Sequence, residues 1–192
     1  MKFSSERLHL IEFDEELLNN EILSWFQNPD LMKYYTNSKV PITKEVLLNA
    51  ITAGRTDHNN FTYFIVHSES NDIIGTLKLG PINKHHKTSD LVALIGETGY
   101  GKGIGTEAIK LGIRLAFEKY DIRKLLGGMY ASNIGSIKAY TRAGWIVEGV
   151  LHGHYLNNNK NEDRILVGCF NPKYFTDIEI KNAKYKKWYD EN

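Results

Sequence analysis

The sequence of 192 residues contains a single cysteine, Cys169. One thiol cannot form an internal disulfide, which excludes a disulfide-stapled fold and favours a reducing compartment. An excess of one charge is also missing, because 24 Lys and Arg residues against 23 Asp and Glu residues leave a formal net charge of +1. A nearly neutral chain has no global field that would recruit nucleic acid or a membrane surface.

Long apolar runs are missing as well. The run at residues 91–95 is far too short to cross a bilayer. Residues 1–7 lack the apolar stretch that a signal peptide needs. With 42% hydrophobic and 24% charged residues, the composition is that of an ordinary globular protein. We therefore expect a cytoplasmic monomer or homodimer, with residues 1–192 in a single domain and a polar tail from about residue 181.

Hydrophobic spacing indicates a mixture of strands and helices. Alternation and β-branched or aromatic runs predict strands at 7–13, 61–67, 72–79, 89–95, 124–130, 145–151 and 165–170. Spacings of three and four predict helices at 15–26, 31–35, 44–53, 106–120 and 133–143. Thr43 is the predicted N-cap of the third helix. This order predicts an α/β (α+β) fold, with a mostly antiparallel mixed sheet flanked by helices.

A glycine-rich turn between a strand and a helix is the strongest local signal. It consists of Tyr100, Gly101, Lys102, Gly103, Ile104, Gly105 and Thr106. Glycines let backbone N–H groups approach a ligand closely, and the following helix adds unpaired N–H groups and the positive end of its dipole. The turn is therefore suited to a pyrophosphate, and the alternative is a glycine-rich turn without a ligand.

Two common phosphate loops do not fit this turn. A Walker A loop needs Ser or Thr directly after Gly-Lys, and Gly103 follows Gly101 and Lys102. A dinucleotide loop begins a βαβ unit and has its third glycine three residues after its second, a position that Gly105 does not occupy. The pattern therefore favours neither a Walker-type nor a dinucleotide-type site.

A second motif follows the strand predicted at 124–130. Its residues are Asn133, Ser136, Tyr140, Gly144 and Trp145. Together with the glycine turn, it resembles the GNAT superfamily of N-acetyltransferases, whose motifs are Arg/Gln-x-x-Gly-x-Gly/Ala and Asn-x-x-Ser-x-x-x-Tyr-x-x-x-Gly-Phe. Tyr100 and Trp145 depart from that pattern, but neither change removes a backbone donor. The N-terminal layout is similar to the branch that includes ribosomal-protein N-terminal acetyltransferases.

The resemblance implies a GNAT-like domain with splayed central strands and acetyl-CoA as cosubstrate. It implies that the backbone of Ile95 pairs with the pantetheine arm and that residues 100–106 hold the pyrophosphate. It also implies that Asn133 bonds the pantetheine or the acyl region. Ser136 either fixes the loop or the cofactor, or is a second contact at the helix N-terminus.

Two catalytic side chains are predicted, Tyr140 and Glu97. A phenol at Tyr140 can give its proton to the departing thiolate of coenzyme A, and the alternative is a core tyrosine with a satisfied hydroxyl. Glu97 follows the central strand and is the first choice for the base that deprotonates the amine, the alternative being an exposed loop carboxylate. The second choice is the cluster of His152, His154 and Tyr155. No Cys, His or Asp spacing resembles a metal site.

The acceptor is the least defined part of the prediction. Residues 74–83 and 95–97 are similar to GNAT members that acetylate amino sugars. That resemblance implies transfer to a primary amine of a small molecule, such as a nucleotide-linked amino sugar. The candidate contacts are Trp25, Tyr34, Tyr35, His85, His154 and Tyr155. The alternative is that they are core and rim residues, which is the favoured interpretation for Trp25. The alternatives are a protein α-amine acetyltransferase and a non-catalytic acyl-CoA-binding domain, and no nucleic acid or membrane partner is expected.

Overall fold

The computed structural model describes residues 3–35, 42–97 and 103–191. Its strands are β1 (Leu8–Glu12), β2 (Phe61–His67), β3 (Ile73–Asn83), β4 (Thr88–Ile95), β5 (Lys124–Tyr130), β6 (Ile146–Asn157) and β7 (Lys160–Phe170). They form one seven-stranded sheet in the order β1-β2-β3-β4-β5-β7-β6. Neighbouring strands are antiparallel, except that β4 and β5 run parallel. The predicted fold class is thus confirmed.

The helices cover the two faces of this sheet. They are α1 (Asn20–Gln27), α2 (Pro29–Met32), α3 (Lys44–Thr56), α4 (Ile104–Arg114), α5 (Ile134–Arg142), α6 (Asp177–Asn182) and α7 (Lys186–Glu191). Ile22 of α1 packs with Phe64 and Leu94 in one core cluster, on the face that carries α1 to α3. Ile109 of α4 and Ile137 of α5 belong to a second cluster on the opposite face. The sheet thus separates the N-terminal helices from α4 and α5.

The two parallel strands separate along their length. Thr88–Asp90 of β4 pair with Lys124–Leu126 of β5, and no further pairs between these strands occur in the described part of the chain. Beyond that point β5 continues its pairing with β7, while β4 continues with β3. The sheet therefore opens between residues 91–95 and 127–130, which confirms the predicted splay of the central strands.

The N-terminal helix begins later than its hydrophobic spacing suggests. Glu15–Leu17 form a separate 3₁₀ turn, which Asp14 caps at the N–H of Glu16. Asn19 then caps α1 by accepting from the N–H of Ile22. Asp and Asn side chains compete with helical hydrogen bonds for backbone donors, so they divide the predicted helix 15–26 into two pieces. Thr43 caps α3 as predicted.

The last two strands extend well beyond their predicted ranges. β6 and β7 form a long hairpin joined by Asn158 and Asn159, both at positive φ (49° and 61°). Two central residues at positive φ match the twist of a two-residue hairpin, and asparagine tolerates that conformation. The hairpin projects beside the splay and brings its polar residues toward the same end of the sheet as the opening.

The C-terminal tail packs on the edge of the sheet. The backbone N–H of Tyr185 donates to the carbonyl of Val147 at 2.9 Å, and the N–H of Val147 donates to the hydroxyl of Tyr189 at 2.9 Å. These bonds satisfy groups that an edge strand would otherwise expose. The segment predicted as a polar tail from about residue 181 thus contains the last two residues of α6 and all of α7. No helix of the described residues is long and apolar enough to cross a membrane.

Candidate active site

A cleft of about 640 Å³ lies where β4 leaves β5. The N-termini of α4 and α5 form one wall, and the end of α2 forms the rim. The predicted site residues that line it are Ile95, Gly103, Gly105, Thr106, Asn133, Ser136 and Tyr140. The fold therefore brings the two sequence motifs to one opening, although about thirty residues separate them.

The N-terminus of α4 faces this cleft without a side-chain cap from the described residues. Gly103 has a φ of 78°, which glycine adopts at little cost, and its carbonyl accepts from the N–H of Glu107. The N–H groups of residues 104–106 have no intrahelical partner, because the first turn of a helix leaves them unpaired. Among the described residues, a Cβ at Gly105 would meet only the side chain of Ile95, at 3.9 Å. Packing against the described part of the chain therefore does not require glycine at 105. The predicted contacts Tyr100, Gly101 and Lys102 lie outside the described residues.

The N-terminus of α5 forms the neighbouring part of the wall. Asn133 is its N-cap, and the side-chain oxygen accepts from the N–H of Ser136 at 3.3 Å. The cap uses the carbonyl oxygen, which leaves the amide NH₂ as the group of Asn133 that can reach a ligand. Gly135 also lines the cleft, and no atom of the described residues lies within 4 Å of a Cβ built there. Both helix N-termini thus combine polar groups with an open backbone.

Tyr140 lines the cleft and is buried, with 7% of its surface exposed. Its hydroxyl donates to the carbonyl of Leu91 at 3.0 Å and accepts from the N–H of Ala93 at 3.4 Å. Both backbone groups belong to β4 just beyond its last pair with β5. Burial raises the pKa of the Tyr140 phenol to about 12, against the opposing effect of the bond from Ala93. The phenol therefore stays protonated at neutral pH while it holds the open edge of β4.

The first-choice base, Glu97, follows β4 as predicted but lies outside the cleft lining. Its carboxylate accepts from the side-chain amide of Asn28 at 2.6 Å, and the residue is exposed. The preceding Gly96 packs against the ring of Trp25, where a Cβ would collide with the indole. Trp25 is 3% exposed and is a core residue, so it is withdrawn from the candidate acceptor contacts.

Three tyrosines from distant parts of the chain meet at the rim of the opening. Tyr34 follows α2 and lines the cleft, and its ring lies 5.6 Å from that of Tyr130 at the end of β5. Tyr130 stacks on Tyr155 of β6 with ring centroids 3.8 Å apart. His154 contacts the edge of Tyr155, and its Nε2 lies 3.4 Å from a guanidinium nitrogen of Arg164. We refer to Tyr34, Tyr130 and Tyr155 as the tyrosine cluster.

The other predicted acceptor contacts are not part of this cluster. His85 lies in the exposed turn between β3 and β4, where it contacts His86. Tyr35 lines a mostly apolar cavity of about 310 Å³ between α1–α3 and strands β2–β4. That cavity shares Tyr35 and Leu94 with the cleft, so the two openings adjoin. His152 of the second-choice base cluster pairs with Asp163 at 2.9 Å.

Four functional candidates carry no local signal in the sequence. Tyr130 and Arg164 belong to strands, where an aromatic or cationic residue does not by itself mark a site. Lys33 and Arg142 line the cleft and add positive charge at its rim. Tyr130, Lys33 and Arg142 are identified by their positions at or just after the ends of β5, α2 and α5, and Arg164 is identified by its pairing with Tyr130. Among the described residues, no three His, Cys, Asp or Glu side chains form a group that could hold a metal ion.

The chain matches the family model of the acetyltransferase (GNAT) domain over residues 7–146. It is 29% identical over 112 residues to a probable N-acetyltransferase of Bacillus subtilis, a match that covers 57% of this chain and 62% of that protein. It is 27% identical over 103 residues to a spermidine N(1)-acetyltransferase of Escherichia coli, covering 54% of this chain and 55% of that one. The chain thus spans less than two thirds of the length of these curated relatives.

Solved structures share the fold at lower identity. The spermidine N-acetyltransferase of Vibrio cholerae, in complex with CoA and spermine, superposes with a TM-score of 0.79 at 19% identity, over 90% of this chain and 100% of that one. A microcin C7 self-immunity acetyltransferase, in complex with acetyl-CoA and AMP, gives 0.73 at 18% identity, over 87% and 94%. The family match covers most of the chain, and the splayed sheet has the same architecture as these structures. The chain is a member of the GNAT acetyltransferase family.

Proposed function

We propose that this protein transfers the acetyl group of acetyl-CoA to a primary amine of a small molecule by direct attack. The observation that supports the proposal is the opening between β4 and β5. On one side it meets the N-terminus of α4, which no side chain of the described residues caps, and on the other it meets Tyr34 of the tyrosine cluster. A donor and an acceptor that enter from opposite sides would be held close together, which lowers the entropic cost of their reaction.

The residues present fit the donor. Backbone N–H groups of residues 104–106, at the positive end of the α4 dipole, would bind the pyrophosphate. The free edge of β4 around Ile95 would pair with the pantetheine arm, as a further strand pairs with an open sheet edge. Lys33 and Arg142 at the rim are placed to meet the remaining phosphate charge. When bound, acetyl-CoA supplies an activated acyl group as a thioester.

Two proton transfers accompany this reaction. Tyr140 is the proposed general acid, since its phenol stays protonated and lines the cleft. To donate, its O–H must exchange the bond with the carbonyl of Leu91 for one with the departing thiolate. The amine must lose a proton, and Glu97 is the proposed base. Because its carboxylate lies outside the cleft lining, it would act through an ordered water.

For the acceptor, we propose a nucleotide-linked amino sugar. Stacked tyrosines offer flat apolar faces, on which a nucleobase or a sugar ring can pack. The cluster of Tyr34, Tyr130 and Tyr155 provides such faces at the rim of the cleft. The curated relatives include spermidine acetyltransferases, so a polyamine is the obvious competing acceptor. The cytoplasmic location and the monomeric or dimeric state stay predictions.

An amine panel tests the proposal directly. The purified chain is incubated with acetyl-CoA and each of a nucleotide-linked amino sugar, spermidine and a peptide with a free N-terminus, and release of the coenzyme A thiol is followed. We expect turnover with the sugar nucleotide above the rate without any amine, and little with the peptide. Thermal denaturation should show stabilisation by acetyl-CoA, because a ligand that binds the native state alone raises its stability. No thiol release with any amine would contradict the proposed activity.

A further inference from the structure

Arg164 lies on the sheet face that carries the tyrosine cluster. It is paired in register with Tyr130, so the two side chains project on the same side of neighbouring strands. Its guanidinium lies over Gly128, where a Cβ would collide with the Nε and Nη2 atoms. The glycine therefore makes the space that the guanidinium occupies. Arg164 also lies over the ring of Tyr155, with 5.9 Å from its central carbon to the ring centroid.

Within the described residues this guanidinium has no carboxylate partner at ion-pair distance. Its Nε is buried and has no hydrogen-bond partner there, although its Nη1 contacts His154. Charged groups that lose water are normally paired, because desolvation of an uncompensated charge is costly. The described residues thus provide no anionic partner for the partly desolvated guanidinium of Arg164.

The nearby carboxylates are engaged elsewhere. Glu162 accepts from the N–H of Ser132 at 2.8 Å and from the amide of Asn157 at 2.6 Å. Asp163 accepts from His152 and from the N–H of Gly153. Both carboxylates are neighbours of Arg164 in sequence, yet their hydrogen bonds hold the hairpin together rather than neutralise the guanidinium.

One further carboxylate faces the same region. Desolvation by surrounding atoms raises the pKa of Asp90, and the positive charges of Arg164 and Lys78 oppose that rise. Asp90 is within the electrostatic range of both cations but forms an ion pair with neither among the described residues. Asp90 therefore acts on Arg164 only at longer range, and no carboxylate among the described residues binds the guanidinium directly.

We propose that Arg164 binds an anionic group, a phosphate or carboxylate, that the acceptor carries apart from its reacting amine. The guanidinium is well suited to this, because its N–H donors match the paired oxygens of both groups. Arg164 then selects among amines: it favours an acceptor with an anionic substituent and disfavours a polycation such as spermidine. The inference rests on the proposed acetyl transfer, since it names the class of amine that the site accepts.

Matched acceptor pairs test this selection. Glucosamine 6-phosphate is compared with glucosamine, and β-alanine with ethylamine, while spermidine serves as the polycation. In the wild-type chain we expect kcat/KM to be higher for the anionic member of at least one pair, and the pair that responds identifies phosphate or carboxylate. Arg164→Gln should lower kcat/KM for that member roughly ten- to a hundredfold, the range of hydrogen bonds to charged groups, and leave its neutral partner unchanged.

Two further variants guard against a fold defect. Gly128→Ala should displace the guanidinium and reproduce the selective loss, although Arg164 is still present. Arg114→Gln removes an arginine from α4 that pairs with Glu118, so it should leave the preference intact. Thermal denaturation of all three variants checks folding. Equal use of charged and neutral amines by the wild type, or an equal loss for both in Arg164→Gln, would overturn the inference.

A binding titration separates this inference from the proposed function. Calorimetry in the presence of coenzyme A measures the affinities of glucosamine 6-phosphate and glucosamine without any turnover. A chain that acetylates amines but binds both sugars equally overturns the inference alone. A chain that acetylates no amine overturns the proposed function, and the dependence of phosphate binding on Arg164 still decides whether this is an anion site.

Discussion

The two sides of the splay are built from different kinds of groups. On the side of α4 and α5, the candidate ligands are backbone N–H groups, open glycines and the edge of β4. On the side of the tyrosine cluster they are side chains from β5, β6, β7 and the residues after α2. Backbone groups are available in any sequence that can adopt the turn, whereas side chains define what is recognised. Binding on the donor side thus depends on the backbone conformation, whereas recognition on the acceptor side depends on which side chains are present.

Mutations on the two sides should therefore have different effects on activity. A change on the donor side should alter the affinity for acetyl-CoA for every amine alike. A change on the acceptor side should alter the choice of amine and leave acetyl-CoA binding as it is. Tyr140 lies at the boundary, because its ring lines the donor cleft while its hydroxyl holds the β4 edge between the two sides.

Tyr140→Phe should have the largest effect. The variant keeps the ring and removes the proton donor, so we expect turnover to fall by about a hundred- to ten-thousand-fold, the usual range for acid-base catalysis. The affinity for acetyl-CoA, measured by calorimetry, should change little. The melting temperature should fall somewhat, because the bonds to Leu91 and Ala93 are lost. If turnover stays at the wild-type value, Tyr140 only holds the edge of β4 open.

Gly105→Val tests the donor side alone. Among the described residues, a Cβ at this position meets only Ile95, at 3.9 Å, so the chain should still fold. The larger side chain would occupy the space in which the ligand contacts the protein backbone. We therefore expect the Kd for acetyl-CoA to rise about tenfold or more, which corresponds to about 1.4 kcal/mol or more of binding free energy. Gly149→Val is the matched control, because Gly149 lies outside the cleft lining and a Cβ there meets only Leu166, at 3.8 Å, within the described part of the chain. Equal Kd values for the two variants would show that residue 105 does not approach the ligand.

Glu97→Gln tests the proposed base through the pH profile. The amine arrives mostly protonated, so the rate should rise with pH through the pKa of the group that takes the proton. If Glu97 acts through water, the variant should lose several-fold in rate at neutral pH and recover partly at high pH, where free amine is abundant. His154→Ala is the competing variant, since His154 lies beside the tyrosine cluster. A flattened profile for His154→Ala with an unchanged one for Glu97→Gln would move the base to the acceptor side.

The contrast between the two sides also explains how much of the structure can be predicted from the sequence. Strands 61–67 and 124–130 agree with the structure residue for residue, because each is a compact run of strand-forming residues. The hairpin of β6 and β7 is longer than its pattern predicts, since the polar residues at 152–154 break its alternation at an irregularity between Leu151 and Tyr155. Most of the strand there is exposed, so burial does not impose a period of two.

The two sides of the candidate site also differ in how far the sequence predicts them. The residues on the α4 and α5 side of the cleft belong to contiguous motifs, so the sequence alone identifies Gly103, Gly105, Thr106 and Asn133 as candidates, and all four line the cleft. The tyrosine cluster joins segments about a hundred residues apart, and its stacking depends on the pairing of β5 with β7 and of β7 with β6. The sequence marks Tyr34, Tyr155 and His154 as separate candidates, whereas Tyr130 and Arg164 are recognised only through the sheet order.

The smallest effect is expected where the N-terminal segment anchors the donor side. Glu107 of α4 accepts hydrogen bonds from the hydroxyl of Ser5 at 2.7 Å and from the backbone and guanidinium of Arg7 at 3.0 and 2.7 Å. Partial burial alone would raise the pKa of Glu107, but these bonds outweigh it and lower the pKa below the ordinary value of 4.5. A carboxyl with a lowered pKa in the folded state binds its proton more weakly there than in the unfolded chain.

The sign of the pH effect follows from this difference. The stabilisation by Glu107 is fully present at pH values above 4.5 and is lost as the pH falls through the lowered pKa of the folded state. Glu107→Gln should therefore lower the free energy of unfolding at pH 7 by about 1–2 kcal/mol, and the difference from wild type should shrink as the pH falls below 4.5. Urea unfolding of both proteins at neutral and acidic pH measures this difference in the free energy of unfolding. Because this substitution leaves the tyrosine cluster and Arg164 untouched, the choice of amine should not change in this variant, and a changed choice would show that the two sides of the splay are coupled through α4.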